Sequence, residues 1–329
     1  MTRLRIGLLG ASRIAEKAIL QPAALLASDV EVRAVGASSA AKAQAYAQQY
    51  QLAAWEGSYQ ALLQRDDIDL IYNALPASLH AQWSIKALQA GKSVLCEKPF
   101  ALNAAEVSSM LSAAEQSGQL LLEGYHYRFH PVFLKVQQLL QSGVLGKLLT
   151  VRSNFSVRIA ETPGSLRHQL ALGGGALMDL GCYPLHWVRQ LLGNELQLLQ
   201  AAAICHTQGV DESFSARLLG PAGEQIYLGC SMAEHLNRQH DAYLELLGEQ
   251  GKLEVFNLVA PHQGHQIRLE LNGQSQTEQL EAESTYYYQL KHWLDCLRGQ
   301  ATPLTGGQDA LQQMQWIDRL YLAAGLPTR

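Results

Sequence analysis

A glutamate, a lysine and a proline, Glu97-Lys98-Pro99, stand directly behind the apolar run Val94-Leu95-Cys96. A lysine at the carboxyl end of a parallel strand lies where open α/β sheets bind ligands. Pro99 fixes its own φ and biases Lys98 toward an extended backbone. Glu97 either steadies the ammonium or faces water, and a solvated charge pair is the plain alternative for both. Further along, Gly173-Gly174-Gly175-Ala176-Leu177-Met178-Asp179-Leu180-Gly181-Cys182-Tyr183 runs from a glycine-rich loop into a helix. Asp179 and Tyr183 are four apart, so both project from one helical face. Leu177, Leu180, Leu185 and Val188 predict that this helix is buried. A buried carboxylate and a buried phenol need partners, and a nearby ammonium serves both. A dipole-stabilising Asp beside a core Tyr explains the same residues without chemistry.

A second constellation is the turn Gly10-Ala11-Ser12-Arg13-Ile14-Ala15 after the first apolar run. In a dinucleotide-binding turn one glycine makes the bend, a second admits the pyrophosphate and a third small residue packs helix on strand. Gly10 and Ala15 fill the first and third roles, whereas Ser12 holds the second. The segment from Leu70 to Leu75, then Pro76 to His80, ends another strand in a loop with Ser78 as its cap, and His80 reads as a surface residue of the following helix. Arg128 lines a cofactor or substrate cleft or forms a structural ion pair. His186 lines a pocket or satisfies a core hydrogen bond. No metal site is expected: His262 and His265 lack a helix, a cysteine pair or an acidic third ligand. The Gly-x-Ser-x-Gly elbow of a serine hydrolase is missing from the sequence.

These residues require a scaffold of strand tips and helix starts. Apolar runs at Leu4–Leu9, Val30–Val35, Leu70–Leu75, Val94–Cys96 and Leu120–Leu122 alternate with Ala- and Gln-rich stretches at Ala40–Gln49, Ala81–Ala90 and Ala104–Ser117. That alternation predicts βαβ units and a parallel sheet covered on both faces. After about residue 124 the pattern changes to longer alternating segments, among them Arg152–Val157, Ser213–Leu219, Gln225–Ser231, Tyr243–Leu247 and Ile267–Leu271, which predict a mostly antiparallel open sheet. Helices are predicted at Val132–Gln141, Met178–Leu192, Ser284–Arg298 and Gln308–Ala324. The expected division is residues 1–124 and 125–329. The chain has 329 residues, 48% hydrophobic and 16% charged, which suits two globular cores and excludes overall disorder. A formal charge of −4 without a basic run offers no footprint for nucleic acid. The apolar start is too short for a signal segment, and nothing approaches ~20 uninterrupted apolar residues. Five scattered cysteines without a CxxC pair predict reduced thiols and a cytoplasmic protein.

Taken in order, the Gly10–Ala15 turn, the Pro76…His80 loop, Gly91-Lys92-Ser93-Val94-Leu95-Cys96-Glu97-Lys98-Pro99, Tyr127-Arg128-Phe129-His130-Pro131 and Gly174–Gly181 resemble the glucose–fructose oxidoreductase / inositol dehydrogenase (Gfo/Idh/MocA) family across essentially the whole chain. The resemblance implies an N-terminal Rossmann dinucleotide-binding domain, a C-terminal α+β domain and NAD(P)-dependent hydride transfer at a hydroxyl or carbonyl carbon. It places Lys98 beside the nicotinamide at the reacting oxygen, with Asp179 as its partner. It also places the cofactor against Gly10, Ser12, Arg13, Ile14, Ser38, Ser39, Lys42, Leu75, Pro76, His80, Glu97 and Lys98. The sugar-alcohol branch carries a histidine four residues after the Asp; Tyr183 stands there instead, as in the glucose–fructose oxidoreductase and dihydrodiol dehydrogenase branch. A phenol titrates near ~10, and a cationic neighbour lowers that value toward acid/base work.

NADP(H) is expected over NAD(H), because no Asp or Glu occurs from Gly36 through Trp55 while Ser38, Ser39 and Lys42 offer hydroxyls and an ammonium. A sugar-like substrate is expected over a trans-dihydrodiol, from the polar residues His168, Gln169, Asn154, Arg158, His186, Glu234, His235, Asn237 and Arg238, against Tyr125, Tyr127 and Phe155 as an apolar wall. Two rival functions are a dinucleotide-sensing protein without turnover and a hydrolytic or elimination cycle with transient redox. A homodimer or homotetramer is expected through the second sheet, whose strand Gln225–Ser231 has modestly apolar residues on both sides.

Overall fold

The computed structural model describes residues 3–162, 164–205 and 209–329. The chain forms two compact units. One comprises the residues up to Tyr125 with Tyr286–Met314, the other His126–Thr285 with Gln315–Arg329. The expected division put everything after residue 124 into one domain; the segment Tyr286–Met314 instead returns to the first unit. Its helix Thr285–Leu297 places Leu290, Trp293 and Leu294 in the core of the first sheet, beside Ile6, Leu8 and Leu95.

The first unit is built on strands β1 (Leu4–Leu9), β2 (Val30–Gly36), β3 (Ala54–Glu56), β4 (Leu70–Asn73), β5 (Ser93–Cys96) and β6 (Leu121–Glu123). They are all parallel and lie in the order β3-β2-β1-β4-β5-β6. Strands covered on both faces are apolar throughout, and β4 and β5 are buried at every position. The order reverses between β1 and β4, which opens a crevice at their carboxyl ends. The helix expected at Ala81–Ala90 begins earlier, at Ala77, so Ser78 lies inside it and Pro76 stands at its N-cap. Ala104–Ser117 has its expected bounds: Asn103 accepts from the Ala105 and Glu106 amides, and Gly118 at φ +65° ends the helix.

The second unit holds an eight-stranded sheet made of β7 (Leu148–Val157), β8 (Gln197–Cys205), β9 (Asp211–Leu219), β10 (Gln225–Ser231), β11 (His240–Gly248), β12 (Gly251–Phe256), β13 (Gln266–Leu271) and β14 (Gln274–Glu278), in the order β14-β13-β12-β11-β7-β10-β9-β8. Every pairing is antiparallel except β7 with β10. The helix Cys182–Leu192 covers one face, its residues Cys182 through Arg189 all buried, and the Ser153 hydroxyl of β7 donates to the Pro184 carbonyl. Ahead of this helix the segment Leu177–Gly181 is a π-turn, in which the Cys182 amide reaches back to the Leu177 carbonyl. Pro184 has no amide, and its ring crowds the carbonyl four residues back, which favours the wider turn there.

Candidate active site

In the first unit the turn after β1 is set by Gly10, whose φ of +96° lies in the left-handed region. A Cβ on Gly10 would stand 3.1 Å from Leu75 Cδ2, so the β1 and β4 exit loops abut. Ser12 accepts from the Ile14 amide through its hydroxyl and from the Tyr46 hydroxyl through its carbonyl. Arg13 is exposed beside them, and Ala15 is wholly buried under the helix start. This cradle, a glycine-only bend at the strand-order reversal with the Arg13 cation nearby, fits a dinucleotide pyrophosphate. At the end of β2, Ser39 caps the helix Ala40–Tyr50 by accepting from the Lys42 amide, and Lys42 Nζ donates to Ser38 Oγ at 3.4 Å. The first acid beyond them, Glu56, is ion-paired with Arg65 at 2.8 Å.

Lys98 is half-buried at the tip of β5, followed by a cis Lys98–Pro99 peptide. Glu97 does not face water: it is buried, and the Tyr72 hydroxyl donates to its Oε1 at 2.6 Å. Burial, and the charge of Glu97, push the Tyr72 phenol well above its ordinary range. His80 is not a surface residue either, being 2% exposed. Its Nδ1 lies 2.9 Å from the Pro99 carbonyl and its Nε2 2.7 Å from the Leu75 carbonyl, so the ring ties the β4 exit loop to the β5 exit loop. Burial lowers its pKa against the pull of those two carbonyls. Glu123 braces the same tip by accepting from the Phe100 amide at 3.1 Å.

In the second unit the π-turn and the helix behind it carry Asp179 and Tyr183. Asp179 Oδ2 makes a short ion pair with Arg167 Nε, whose charge the carboxylate reinforces. Tyr183 is buried, with the Phe155 ring edge-on at 5.5 Å and Tyr127 at 6.1 Å. Its hydroxyl lies 2.9 Å from His126 Nε2, and His126 Nδ1 lies 2.8 Å from Thr285 Oγ1. A phenol joined to an imidazole can exchange a proton with an oxygen set before it. Sequence reasoning missed His126 and Arg167; the signal available for His126 was its place among the aromatic residues Tyr125, Tyr127 and Phe129.

The remaining candidates divide. Arg128 Nε donates to Gln190 Oε1 at 2.9 Å and its Nη1 to Gln137 Oε1 at 3.2 Å. His186 is wholly buried, with Nδ1 2.7 Å from the Tyr127 hydroxyl and Nε2 3.3 Å from the Gln190 amide, the arrangement of a core hydrogen-bonding residue. Asn154, Asn237 and Arg238 line a cleft on the open face of the second sheet. Asn154 alternates along β7 with Phe155, which faces Tyr183, so that part of the polar lining lies on the other side of the sheet from the phenol. His265 is engaged by the Pro261 carbonyl and the Leu280 amide, and no group of three metal-binding side chains occurs among the described residues. Among the described residues, which include all five cysteines, there is no disulfide. Among the described residues no helix is long and apolar enough to cross a membrane.

The chain was compared with known proteins. Residues 4–125 match the model of the GFO_IDH_MocA oxidoreductase family with NAD-binding Rossmann fold, and residues 133–254 match the GFO/IDH/MocA C-terminal domain. The chain is 36% identical over 278 residues, 84% of its length and 79% of the relative's, to a dTDP-3,4-didehydro-2,6-dideoxy-α-D-glucose 3-reductase of Streptomyces violaceoruber. It is 30% identical over 98% of its length and 97% of the relative's to D-xylose 1-dehydrogenase (NADP(+)) 2 of Haloferax volcanii. A solved 3-ketoreductase from Actinomadura kijaniata, in complex with NADP and TDP-benzene, superimposes with a TM-score of 0.88 at 27% identity, covering 98% of each chain. That enzyme has also been solved with a lysine or a tyrosine replaced. With both domain models matched in order and the Rossmann strand order in place, the chain belongs to the GFO/IDH/MocA family of NAD(P)-dependent oxidoreductases.

Proposed function

We propose that this oxidoreductase interconverts a hydroxyl and a carbonyl on a sugar or sugar-like substrate, with NADP(H) preferred over NAD(H). The observation that carries the reading is the strand-order reversal in the first unit, with the glycine turn of β1 and the braced Lys98 tip of β5 both at carboxyl ends of strands. The bound nicotinamide supplies or accepts the hydride. Gly10, Ser12, Arg13 and Ile14 hold the pyrophosphate; Leu75, Pro76 and Glu97 border the ring end, with His80 as the strut behind. Lys98 receives the negative charge on the reacting oxygen, Tyr183 exchanges its proton, and Asp179 with Arg167 orders the turn that presents the phenol. The lysine and tyrosine replaced in the solved ketoreductase are 84 positions apart in its sequence, against 85 for Lys98 and Tyr183 in this one.

The cofactor preference is supported by Ser38 and Lys42 at the end of β2, by Glu56 being engaged with Arg65, and by two relatives whose names carry NADP. A sugar-like substrate is supported by the names of the Streptomyces 3-reductase and the Haloferax xylose dehydrogenase rather than by the polar lining, part of which faces away from Tyr183. The first unit then serves as the cofactor domain, while the second serves substrate binding and assembly.

Assembly as a homodimer or homotetramer is supported by the open face of the second sheet. One cross-strand row, Arg217–Tyr227–Arg152–Glu245–Glu254–Arg268, runs over six neighbouring strands. Two arginines stack on Tyr227 at its head, two glutamates stand centrally and Arg268 ends it. A second copy turned end for end would set Arg152 opposite Glu245 twice at the centre of this row. The test of the functional reading is a screen of aldoses, keto-sugars, polyols and dihydrodiols with both cofactors. Equal or better kcat/KM with NADH would overturn the cofactor preference, and tight cofactor retention without net redox would favour the transient-redox alternative.

A further inference from the structure

Resting on the role given to Tyr183, we propose that His126 is the proton partner of that tyrosine and completes a buried relay Tyr183–His126–Thr285. The three side chains are buried and linked in sequence: phenol oxygen to Nε2 is 2.9 Å and Nδ1 to Oγ1 is 2.8 Å. A neutral imidazole donates from one nitrogen and accepts at the other, and the partner of the first fixes the role of the second. With Nδ1–H donating to Thr285 Oγ1, Nε2 carries the lone pair that receives the Tyr183 hydroxyl. The two rings meet edge to face at 5.8 Å, which holds the imidazole in the direction of the phenol. Thr285 opens the helix Thr285–Leu297, so its hydroxyl is placed by a regular element.

In the oxidative direction the substrate hydroxyl gives its proton to the Tyr183 oxygen while the phenolic proton passes to His126 Nε2. The carbinol carbon becomes a carbonyl as its hydride goes to the oxidised cofactor. Alcohol, NAD(P)⁺ and neutral His126 thus become carbonyl, NAD(P)H and imidazolium, and the imidazolium later yields its proton to water. Reduction reverses each transfer. Tyr183 is then neutral before and after each transfer, which removes the need to reach a phenolate with its ordinary pKa near ~10.

Two measurements test the relay. In histidine-¹⁵N-labelled protein without substrate, the resonance lost in His126→Gln should report an Nδ1–H ring whose Nε2 accepts a hydrogen bond, and Tyr183→Phe should shift that Nε2. An Nε2–H ring, or one unmoved by Tyr183→Phe, overturns the proposal. In kinetics, His126→Gln keeps an acceptor for the phenol but cannot take up its proton. It should lower kcat by roughly 10–100-fold with cofactor KM within about 3-fold, and Thr285→Val by about 3–10-fold. In a Tyr183→Phe background, His126→Gln should cost no more than about 2-fold further. Equal losses in both backgrounds, or wild-type kcat in His126→Gln, overturn the relay alone. Wild-type turnover in Tyr183→Phe overturns the role given to Tyr183 and the relay with it.

Discussion

Arg329 and Asp211 form an ion pair at 2.5 Å whose side chains are 1% and 0% exposed. Asp211 also accepts from the Leu177 amide at 2.7 Å and from the Tyr321 hydroxyl at 2.9 Å, while Arg329 stacks on Tyr321 and donates to the Gly174 carbonyl. The pair therefore fastens both sides of the glycine loop that opens the Asp179–Tyr183 segment. Burial raises the Asp211 carboxyl above its ordinary range, against the pull of those donors. Such a pair adds little net stability while intact, yet its rupture strands a buried charge.

Arg329→Ala should accordingly lower unfolding free energy by about 3–5 kcal/mol, and Tyr321→Phe by about 1 kcal/mol. Chemical denaturation of both variants checks the order. An Arg329→Ala protein as stable as wild type would show that the loop needs no anchor.

Gly10→Ala should fold and lose cofactor. Its φ of +96° strains any side chain, and the new methyl meets Leu75 Cδ2 at 3.1 Å. A strained turn of this kind costs on the order of 1–3 kcal/mol, so NADPH affinity should fall by about tenfold or more, measured by fluorescence titration. Unchanged affinity with unchanged melting would remove Gly10 from the pyrophosphate cradle.

His130 should give the protein a sensitivity to mild acid. Its Nδ1 accepts from the Val132 amide, capping the helix Pro131–Gln141, and its Nε2 lies 3.2 Å from the Glu283 carbonyl. Burial lowers its pKa from 6.5 to about 4; the Glu283 carbonyl opposes this, and His262 and His265 add to it. The ring is neutral in the folded protein, so its contribution is fully present above pH 6.5. It is lost as pH falls from 6.5 toward 4, where only the unfolded chain gains the proton. His130→Asn keeps a capping side chain without that titration and should flatten the fall of melting temperature across this window. An equally steep fall in the variant would place the sensitivity elsewhere.

Much of this was legible because the first unit spells its strands as apolar runs, and Leu4–Leu9, Ala104–Ser117 and Gln225–Ser231 recur with their predicted bounds. β14, Gln274–Glu278, was not legible: it is exposed at all five positions and carries no apolar period, holding its place through pairing with β13. β8 is an edge strand whose short, exposed Ala-rich face gives no alternation. At the site, the Glu97-Lys98-Pro99 tip and Tyr183 were marked by local spacing, whereas the partners of the phenol and of Asp179 were not. His126 stands 57 residues before Tyr183 and Thr285 stands 159 after His126, so only the folded chain joins them. Glu97 turned inward for the same reason, because its partner Tyr72 lies on the neighbouring strand.

Lys98→Met should still bind NADPH and lose most turnover, the outcome that the role proposed for its ammonium at the reacting oxygen requires. Tyr183→Phe should cost roughly 10²–10⁴-fold in kcat, the range of a general acid/base. Parallel cofactor titrations and steady-state rates separate these effects. A Lys98→Met enzyme that turns over normally, or a Phe variant within a few-fold of wild type, would reassign the chemistry.

The most direct measurement is kcat/KM, followed through the nicotinamide absorbance, for glucose, xylose and a keto-sugar against trans-cyclohexanediol and an aromatic dihydrodiol, with NADP(H) and NAD(H) and with Lys98→Met beside the wild type. The account predicts turnover of a sugar or keto-sugar, fastest with NADP(H) and mostly lost in Lys98→Met. Turnover of the diols alone, or sugar turnover that survives Lys98→Met, would contradict it.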